Sequence, residues 1–491
     1  MPGLVRLDRW SPYPSRRGAL GEKGTVVRPV LLVPILLLAA AGLPRAAAAQ
    51  GALPPSSPFR GGVPSGTATP GTMPLSIADA ISRALDHNLG LLMAEESIDH
   101  ARGARWMALS SMLPNVNGRL AESRQKVNLE AFGFPLPAGI PALVGPFNVF
   151  DARVYLQESV LDFGALNSAR AESHNVAAAQ YSYRSARDLV VLVAADMYLE
   201  ALAASARSDS AKAEFETADA LFRQAGDLRQ SGVVAGIDVV RAEVQRGTAQ
   251  QHATAATNEF EKAKLQLARV IGLPIGQNFS LSDEIPYVPA PDMTLEDALG
   301  RAYKARPDYH AAEERVQATE ASRRAIIGDA LPSIRVTADY GDIGLTVDSA
   351  HGTFSVAGAL NVPIFQGGRT QGRLQQADSD LRNRRAELED LKASIYYDVR
   401  SAFLDLKATS EQLDVATKGR DLASQQLTQA RDRFGAGVAD NIEVVQAQQA
   451  VALSNEQYIA ALYGYNVAKA LLARGLGVAE DAVRQYLGGN R

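Results

Sequence analysis

Side chains that could carry out chemistry are few and scattered in this sequence. Cysteine is absent, which excludes disulfides, thiolate metal sites, thiol catalysis and a cysteine-linked lipid anchor. Six histidines occur without any pair four residues apart, the spacing of a helical metal site: His87, His100, His174, His252, His310 and His351. No catalytic triad spacing or phosphate-binding loop appears. The sequence therefore predicts a protein that is not an enzyme and binds no cofactor or metal.

Two carboxylates occupy matching positions after glycine turns. Asp238 follows Gly232, and Glu443 follows Gly437, in each case by six residues. Glycine suits such turns because it adopts positive φ without strain. Glu443 also closes the segment Asp440-Asn-Ile-Glu443, which has the pattern of a capping box at the start of a helix. What these acids do depends on the elements that present them.

Those elements are two very long helices, predicted for residues 164–230 and 368–434. Each stretch lacks proline and carries apolar or small residues at intervals of seven, the heptad pattern of a coiled coil. The first stripe consists of Val176, Tyr183, Val190, Met197, Ala204 and Ala211, and the second of Leu374, Leu381, Leu388, Ile395 and Ala402. At a rise of 1.5 Å per residue, each helix would be roughly 100 Å long. A globular enzyme has little use for two such rods.

The chain also consists of one unit written twice. Leu113-Pro114 matches Leu331-Pro332 at an offset of 218 residues, whereas Gly232 matches Gly437 at an offset of 205. A repeat of this length indicates a duplicated domain rather than a solenoid. The predicted divisions are a signal peptide at 1–49, a flexible leader at 50–74, a first repeat at 75–272, a linker at 273–292, a second repeat at 293–478 and a C-terminal tail at 479–491.

Residues 1–49 have the features of an export signal. Basic residues precede the 14-residue apolar run 30–43, which is too short to span a bilayer comfortably, and four alanines precede Gln50. No run of 18 apolar residues follows, so no membrane helix is predicted for the mature chain. Residues 50–74 are rich in Pro, Gly, Ser and Thr, which predicts a flexible leader. A net charge of −4 gives no argument for nucleic acid as a partner.

Each copy is predicted to contain a short helix, a second helix ending at Leu-Pro, two strands, the long helix, a glycine turn and a return helix. Proline ends the second helix because it cannot continue the helical hydrogen bonds. The strands alternate polar and apolar residues. The apolar positions include Val154 and Leu156 in the first copy and Val356, Leu360 and Val362 in the second. The proline-rich stretch 129–148 is predicted to be a long loop between the first two strands.

Strands of about ten residues with one apolar face match tilted transmembrane β-strands. A lone hairpin cannot lie in lipid, because the unpaired N–H and C=O groups at its edges cost several kcal/mol each. Four strands also cannot close a barrel, since barrels start at about eight strands. We therefore predict that several chains share one barrel, with the five apolar positions named above facing lipid. The alternative is a soluble sheet packed on the helices.

With these elements in place, the sequence resembles the TolC-type outer-membrane efflux channels. The duplicated strand–strand–long-helix order carries the resemblance. So do Val362-Pro-Ile-Phe-Gln-Gly-Gly before the second long helix and Arg433-Phe-Gly-Ala-Gly-Val-Ala-Asp-Asn-Ile-Glu-Val-Val-Gln-Ala-Gln at its end. The resemblance implies a mainly α protein with a membrane β-barrel. In a homotrimer, twelve strands would form the barrel in the outer membrane, above a twelve-helix α-barrel that extends into the periplasm.

The same resemblance implies a function and partners. Such a protein is the outer-membrane exit duct of a tripartite efflux or type I secretion system, and it conducts substrates passively from periplasm to exterior. Its implied partners are two further copies, outer-membrane lipid, a periplasmic adaptor protein and an inner-membrane pump or ABC transporter. The alternative is a soluble periplasmic coiled-coil scaffold or adaptor, which the four alternating strands disfavour.

The resemblance also implies site residues. The periplasmic entrance would be formed by Asp238, Glu443 and Gln446, and rings of carboxylates there would favour cations. Adaptor contacts would lie at the hairpin tips, on Gly232, Val233, Gly437 and Val438. Phe434 and Ala439 stand where a tyrosine and an arginine help to lock some members of the family shut. We therefore expect this mouth to be held closed differently.

Overall fold

The computed structural model describes residues 57–133, 141–232, 234–289, 293–436, 438 and 441–481. They belong to one compact unit of helices with a single four-stranded sheet at one end. The predicted signal peptide lies outside the described residues. The first half contains β1 (Met73–Leu75), α1 (Ile77–His87), α2 (Leu89–Ser110), β2 (Asn115–Asn128), β3 (Leu143–Leu161), α3 (Phe163–Gln230) and α4 (Gly236–Val270). The second half contains β4 (Phe279–Leu281), α5 (Leu295–Ala305), α6 (Pro307–Gly328), β5 (Ser333–Gly344), β6 (His351–Asn361), α7 (Arg369–Gly435) and α8 (Asn441–Gly475).

The long helices α3 and α7 have 68 and 67 residues, as the heptad pattern predicts. α3 begins where the Asp162 side chain accepts a hydrogen bond from the backbone of Ala165 at 2.8 Å, which satisfies a free N–H of the first turn. α3 packs against α2 and α6 near the sheet and against α4 toward the far end, while α7 packs against α6 and α8. The shorter helices thus line the rods from end to end.

The largest buried apolar cluster of the described residues lies midway along α3, where both halves of the chain meet. Val190, Ala194 and Tyr198 are fully buried there, together with residues of α1 and the end of α4. This part of α3 includes an 18-residue window with a mean hydropathy of 1.7, of which 67% is buried inside the protein. Its apolar character is therefore explained by packing among helices.

The sheet is antiparallel, with the strand order β2-β3-β5-β6. Two boundaries differ from the prediction. β3 begins at Leu143, so the end of the predicted loop 129–148 is strand and pairs with β2. β6 ends at Asn361, so Val362 lies one residue beyond it. The strands β2 and β6 are the edges of the sheet within the described chain, and neither has a partner on its outer side.

The predicted flexible leader is wrong for residues 57–74. Phe59 packs its ring over Gly90, where a Cβ atom would lie 2.4 Å from the ring. The Asn88 side chain donates to the Phe59 carbonyl at 2.8 Å, and the Thr69 backbone donates to Gln277 at 2.7 Å. β1 then pairs in parallel with β4. Composition alone suggested flexibility, but these partners hold the segment in place.

The start of the predicted tail is also packed rather than free. Ala479 is fully buried in the core beside α3. Glu480 accepts two hydrogen bonds from Arg187 of α3, at 2.7 and 3.1 Å. Residues 482–491 lie outside the described part of the chain.

Candidate functional site

The end of the molecule opposite the sheet contains two helical tips. The second tip comprises the end of α7 and the start of α8. Arg433 Nε on α7 lies 3.5 Å from Glu443 Oε1 on α8. Val444 and Ala447 of α8 are fully buried against Ala430 of α7. Glu443 thus stands at an ion pair that bridges the two helices of this tip.

The first tip comprises the end of α3 and the start of α4, and its carboxylate is held differently. Asp238 Oδ1 lies 3.2 Å from Arg241 Nη1, three residues further along the same helix. The turn between the helices includes Gly232 at a φ of 73°, a conformation that glycine adopts without strain. Asp238 and Glu443 therefore occupy matching positions, but their ion pairs differ in geometry.

The remaining tip residues are exposed where they are described. Val438 is 72% exposed, and Gln446 lies on the exposed face of α8. Val233 and Gly437 lie outside the described residues, and so does Asp440 of the predicted capping box. In the described ranges, no group of three His, Asp or Glu side chains could hold a metal ion.

At the other end, the sheet has two faces of opposite character. Because paired residues of neighbouring strands point to the same side, the register defines each face. The apolar face carries Val116, Val154, Leu156, Ala338, Tyr340, Phe354, Val356 and Leu360, with charged residues on the same side toward the strand ends, at Glu122, Arg124, Glu158 and Asp342. Val356 is 70% exposed and Val154 50%. The four predicted lipid-facing residues that lie in strands therefore share one exposed apolar face.

The opposite, polar face contains an ion-pair network that the sequence did not predict. Arg153 of β3 contacts Asp339 of β5 and lies 3.2 Å from Asp151. Its Nη2 donates to Thr353 Oγ1 of β6 at 3.1 Å. The side chain reaches across β5 at Gly341, which pairs with both Arg153 and Thr353. The alternation places charged residues at polar positions of each strand, which was the only signal in the sequence. The contacts between Arg153, Asp339 and Thr353 depend on the register of the strands.

Several partly buried charges lie in the middle of the molecule. Arg306, the residue before α6, lies 2.6 Å from Asp308 and 3.1 Å from Asp398 of α7. Burial, and next the Glu480 carboxylate, raise the pKa of Asp188 on α3 to about 6. Burial lowers the pKa of Lys469 on α8 to about 8, and its Nζ donates to the Val288 carbonyl at 3.0 Å.

An extended segment between the halves runs across these helices. The Tyr198 hydroxyl of α3 lies 2.8 Å from both Asp283 Oδ2 and the Leu75 carbonyl. The Asn466 side chain of α8 donates to the Pro286 carbonyl at 2.8 Å. The linker is therefore bound by side chains of both α3 and α8.

Two long helical hairpins beneath a sheet with one exposed apolar face define the fold of an outer-membrane channel. Solved structures share it. The Campylobacter jejuni CmeC outer membrane channel aligns with a TM-score of 0.73 at 18% identity, covering 83% of this chain and 88% of that chain. The open state of the Neisseria gonorrhoeae MtrE outer membrane channel aligns with a TM-score of 0.70 at 18% identity, covering 83% and 90%.

Sequence relatives agree with the fold. The chain is 23% identical over 417 residues to the toluene efflux pump outer membrane protein TtgF of Pseudomonas putida, covering 82% of this chain and 84% of that protein. It is 22% identical over 357 residues to the outer membrane protein TolC of Escherichia coli, covering 68% and 70%. The alkaline protease secretion protein AprF of Pseudomonas aeruginosa is 22% identical over 361 residues.

The outer membrane efflux protein family model matches residues 80–273 and 298–478. The chain therefore belongs to the outer membrane efflux protein family, whose members are transport channels. This confirms the resemblance to TolC-type channels, the outer-membrane location with extension into the periplasm, and the function as the outer-membrane exit duct of an efflux or secretion system. The alternative of a soluble periplasmic scaffold is disfavoured by the same match.

Proposed function

We propose that three copies of this chain form one continuous duct through the outer membrane and the periplasm. The supporting observation is the sheet, whose two edge strands lack outer partners within the described chain. Backbone groups left unpaired in lipid cost several kcal/mol each. Pairing β6 of one copy with β2 of the next would satisfy both edges, and three copies would close a twelve-stranded barrel of a known size class.

The duct is built from an internally duplicated chain. The same order of two short helices, two strands, a long helix and a return helix occurs twice, and the family model matches each half separately. Each copy would contribute four helical columns near the tips, so that three copies would give a twelve-helix α-barrel below the sheet. Solutes would pass passively through its lumen.

The tips would form the periplasmic mouth and bind a periplasmic adaptor protein, which links the duct to an inner-membrane pump or ABC transporter. Val438 is an exposed apolar side chain at the second tip, a suitable contact for such a partner. Asp238, Glu443 and Gln446 would line the entrance. The names of the relatives include toluene efflux and alkaline protease secretion, so the proposed cargo class ranges from small apolar solutes to proteins.

Cysteine scanning of β6 tests the membrane barrel directly, because the natural chain has no cysteine. Ser355 and Val356 are neighbours on opposite faces of one strand and are both exposed in the single chain. In outer-membrane vesicles, a water-soluble maleimide should label S355C and spare V356C. Both variants should react equally after denaturation. Equal labelling of the two variants in intact vesicles would contradict a lipid-facing apolar face.

Trimer formation is tested on the same material. Detergent-extracted protein should migrate as a trimer on a gel without heating and as a monomer after boiling. A folded monomer that stays soluble in buffer without detergent would overturn the proposal.

Photocrosslinking from position 438 should capture a periplasmic adaptor, whereas crosslinking from exposed position 415 on α7, far from the tip, should not.

A further inference from the structure

The polar face of the sheet carries more positive than negative charge. Between the pairs Ser159–Arg335 and Ile343–His351, its charged residues are Arg119, Arg153, Arg335, Asp151 and Asp339. Three arginines and two aspartates give each chain a net charge of +1 on this face, with histidine neutral. In a ring of three chains, this surplus would occur three times.

Both acids of the polar face are already engaged by a single arginine. The Arg153, Asp339 and Asp151 side chains are 16%, 19% and 29% exposed, and the guanidinium is held further by Thr353. This geometry needs a residue without a side chain at position 341. A Cβ atom on Gly341 would lie 2.2 Å from the Ala152 carbonyl oxygen and 2.8 Å from the Arg153 Cβ. The network is therefore fixed by packing, and its carboxylates are not free for other cations.

The remaining two arginines have no such compensation. Arg119 on β2 pairs across the ladder with Arg153, a residue of like charge. Arg335 on β5 pairs with Ser159 and Ala359. Both are exposed, and neither forms a salt bridge with another residue in the described ranges. Arg119 lies four residues into β2, or about 13 Å along the strand, level with the middle of the apolar face.

We propose that Arg119 and Arg335 make the barrel segment of the duct an anion-favouring filter for solutes that carry a carboxylate or another negative group. The inference rests on the proposed trimeric duct, in which the apolar face contacts lipid and the polar face lines the lumen. Charges around a pore with low-dielectric walls concentrate counter-ions. The barrel would then favour anions, whereas the entrance, where Asp238 and Glu443 lie, would favour cations.

Single-channel recordings in planar bilayers test the proposal with potassium chloride as the probe. Arg119→Gln should lower the chloride-to-potassium permeability ratio about twofold, and Arg119→Glu should lower it further. Arg119 is exposed and has no ion-pair partner in the described chain, so both variants should assemble normally. Arg124→Gln is the matched control, because it removes the same charge from the same strand on the opposite face. It should leave the ratio unchanged.

The outcomes separate this inference from the duct itself. Conducting channels with the same ratio in wild type, Arg119→Gln and Arg119→Glu would overturn the filter and leave the duct in place. An equal shift in Arg124→Gln would also overturn it, because the effect would then not come from the lumen side. A wild-type protein that forms no channel at all would overturn the duct and the filter together.

Discussion

The two helical hairpins, α3–α4 and α7–α8, have nearly the same helix lengths, but the ion pairs that join their helices lie at different distances from the turn. In the first hairpin, Arg246 Nε of α4 lies 2.6 Å from Asp219 Oδ1 of α3, and its guanidinium stacks over Phe222 at 5.4 Å. Asp219 is 13 residues from the turn glycine Gly232, or about 20 Å along the helix. In the second hairpin, the pair Arg433–Glu443 lies next to the turn.

Neither ion pair has a counterpart in the other hairpin. At the offset of 205 residues, Asp219 and Arg246 correspond to Ser424 and Val451, and Arg433 corresponds to Leu228. The two hairpins therefore share helix lengths that the heptads predict, while their charged contacts differ. The cross-helix ion pair thus lies about 20 Å from the turn in the first hairpin and next to the turn in the second.

The largest expected effect concerns Asp188, where the hairpins meet. Its carboxyl is held near the Glu480 carboxylate, with Arg474 and Asp308 close by, and its pKa is raised to about 6 from an ordinary 3.8. Because the carboxyl pKa is higher in the folded chain than in the unfolded chain, the folded state loses stability as the pH rises from 3.8 to 6 and the carboxyl ionises. Asp188→Asn should therefore stabilise the protein by about 1–3 kcal/mol above pH 6.

That gain should shrink as pH falls from 6 and vanish below 3.8, where the carboxyl is protonated in both folded and unfolded chains. Thermal unfolding in detergent across this pH range measures it. Asp209→Asn, at an exposed position of the same helix, is the control and should show little effect. A gain that does not depend on pH would refute the electrostatic explanation.

The next effect separates the two hairpins. Asp219→Asn removes the partner of Arg246 and also of Arg223, which lies 2.6 Å away. Loss of a half-buried ion pair should cost about 1 kcal/mol and loosen only the first hairpin. Limited trypsin digestion should become faster between residues 223 and 246. Ser424→Ala, at the corresponding position of α7, should leave both hairpins unchanged.

A smaller effect is expected at the second tip. Arg433→Gln removes an ion pair whose side chains are 59% and 40% exposed, so the stability change should stay below about 1 kcal/mol. The functional effect should be clearer, because this pair bridges α7 and α8 at the mouth. Bilayer recordings should show a larger open fraction than wild type. Arg431→Gln, at an exposed neighbouring position, serves as the control, and an equal increase there would count against the pair.

The smallest effect comes from giving the first tip the arrangement of the second. Leu228→Arg places an arginine at the position that corresponds to Arg433, within reach of Asp238. The new pair should add a few tenths of a kcal/mol and slow amide hydrogen exchange at the end of α3. Leu228→Gln controls for loss of the leucine. If arginine and glutamine protect the tip equally, the position of the ion pair does not determine how the tips differ.

The regular elements could be predicted from the sequence because their patterns are local. The heptads predicted helices at 164–230 and 368–434, and the structure has Phe163–Gln230 and Arg369–Gly435. Alternation likewise identified Val154, Leu156, Val356 and Leu360 as one face. Such patterns depend only on neighbours along the chain.

Features that depend on distant partners could not be predicted. Residues 57–74 have the composition of a linker, but their partners include Gln277, some 208 positions away. The Arg153 network needs the register of three strands. Val144, Phe147 and Val149 continue β3, but the glycine and proline between them hide the alternation, so the strand start at Leu143 was missed. The tip ion pairs likewise depend on how each turn aligns its helices.

The pairing of β1 with β4 determines where the exported chain can be altered. These strands meet across more than 200 residues of sequence, and the Ile77 backbone donates to Asp283 beside them at 2.8 Å. Residues 73–77 are thus bound to the linker that follows the first repeat. Removal of residues 57–75 should therefore weaken the packing of α2 and of the linker, which these residues contact.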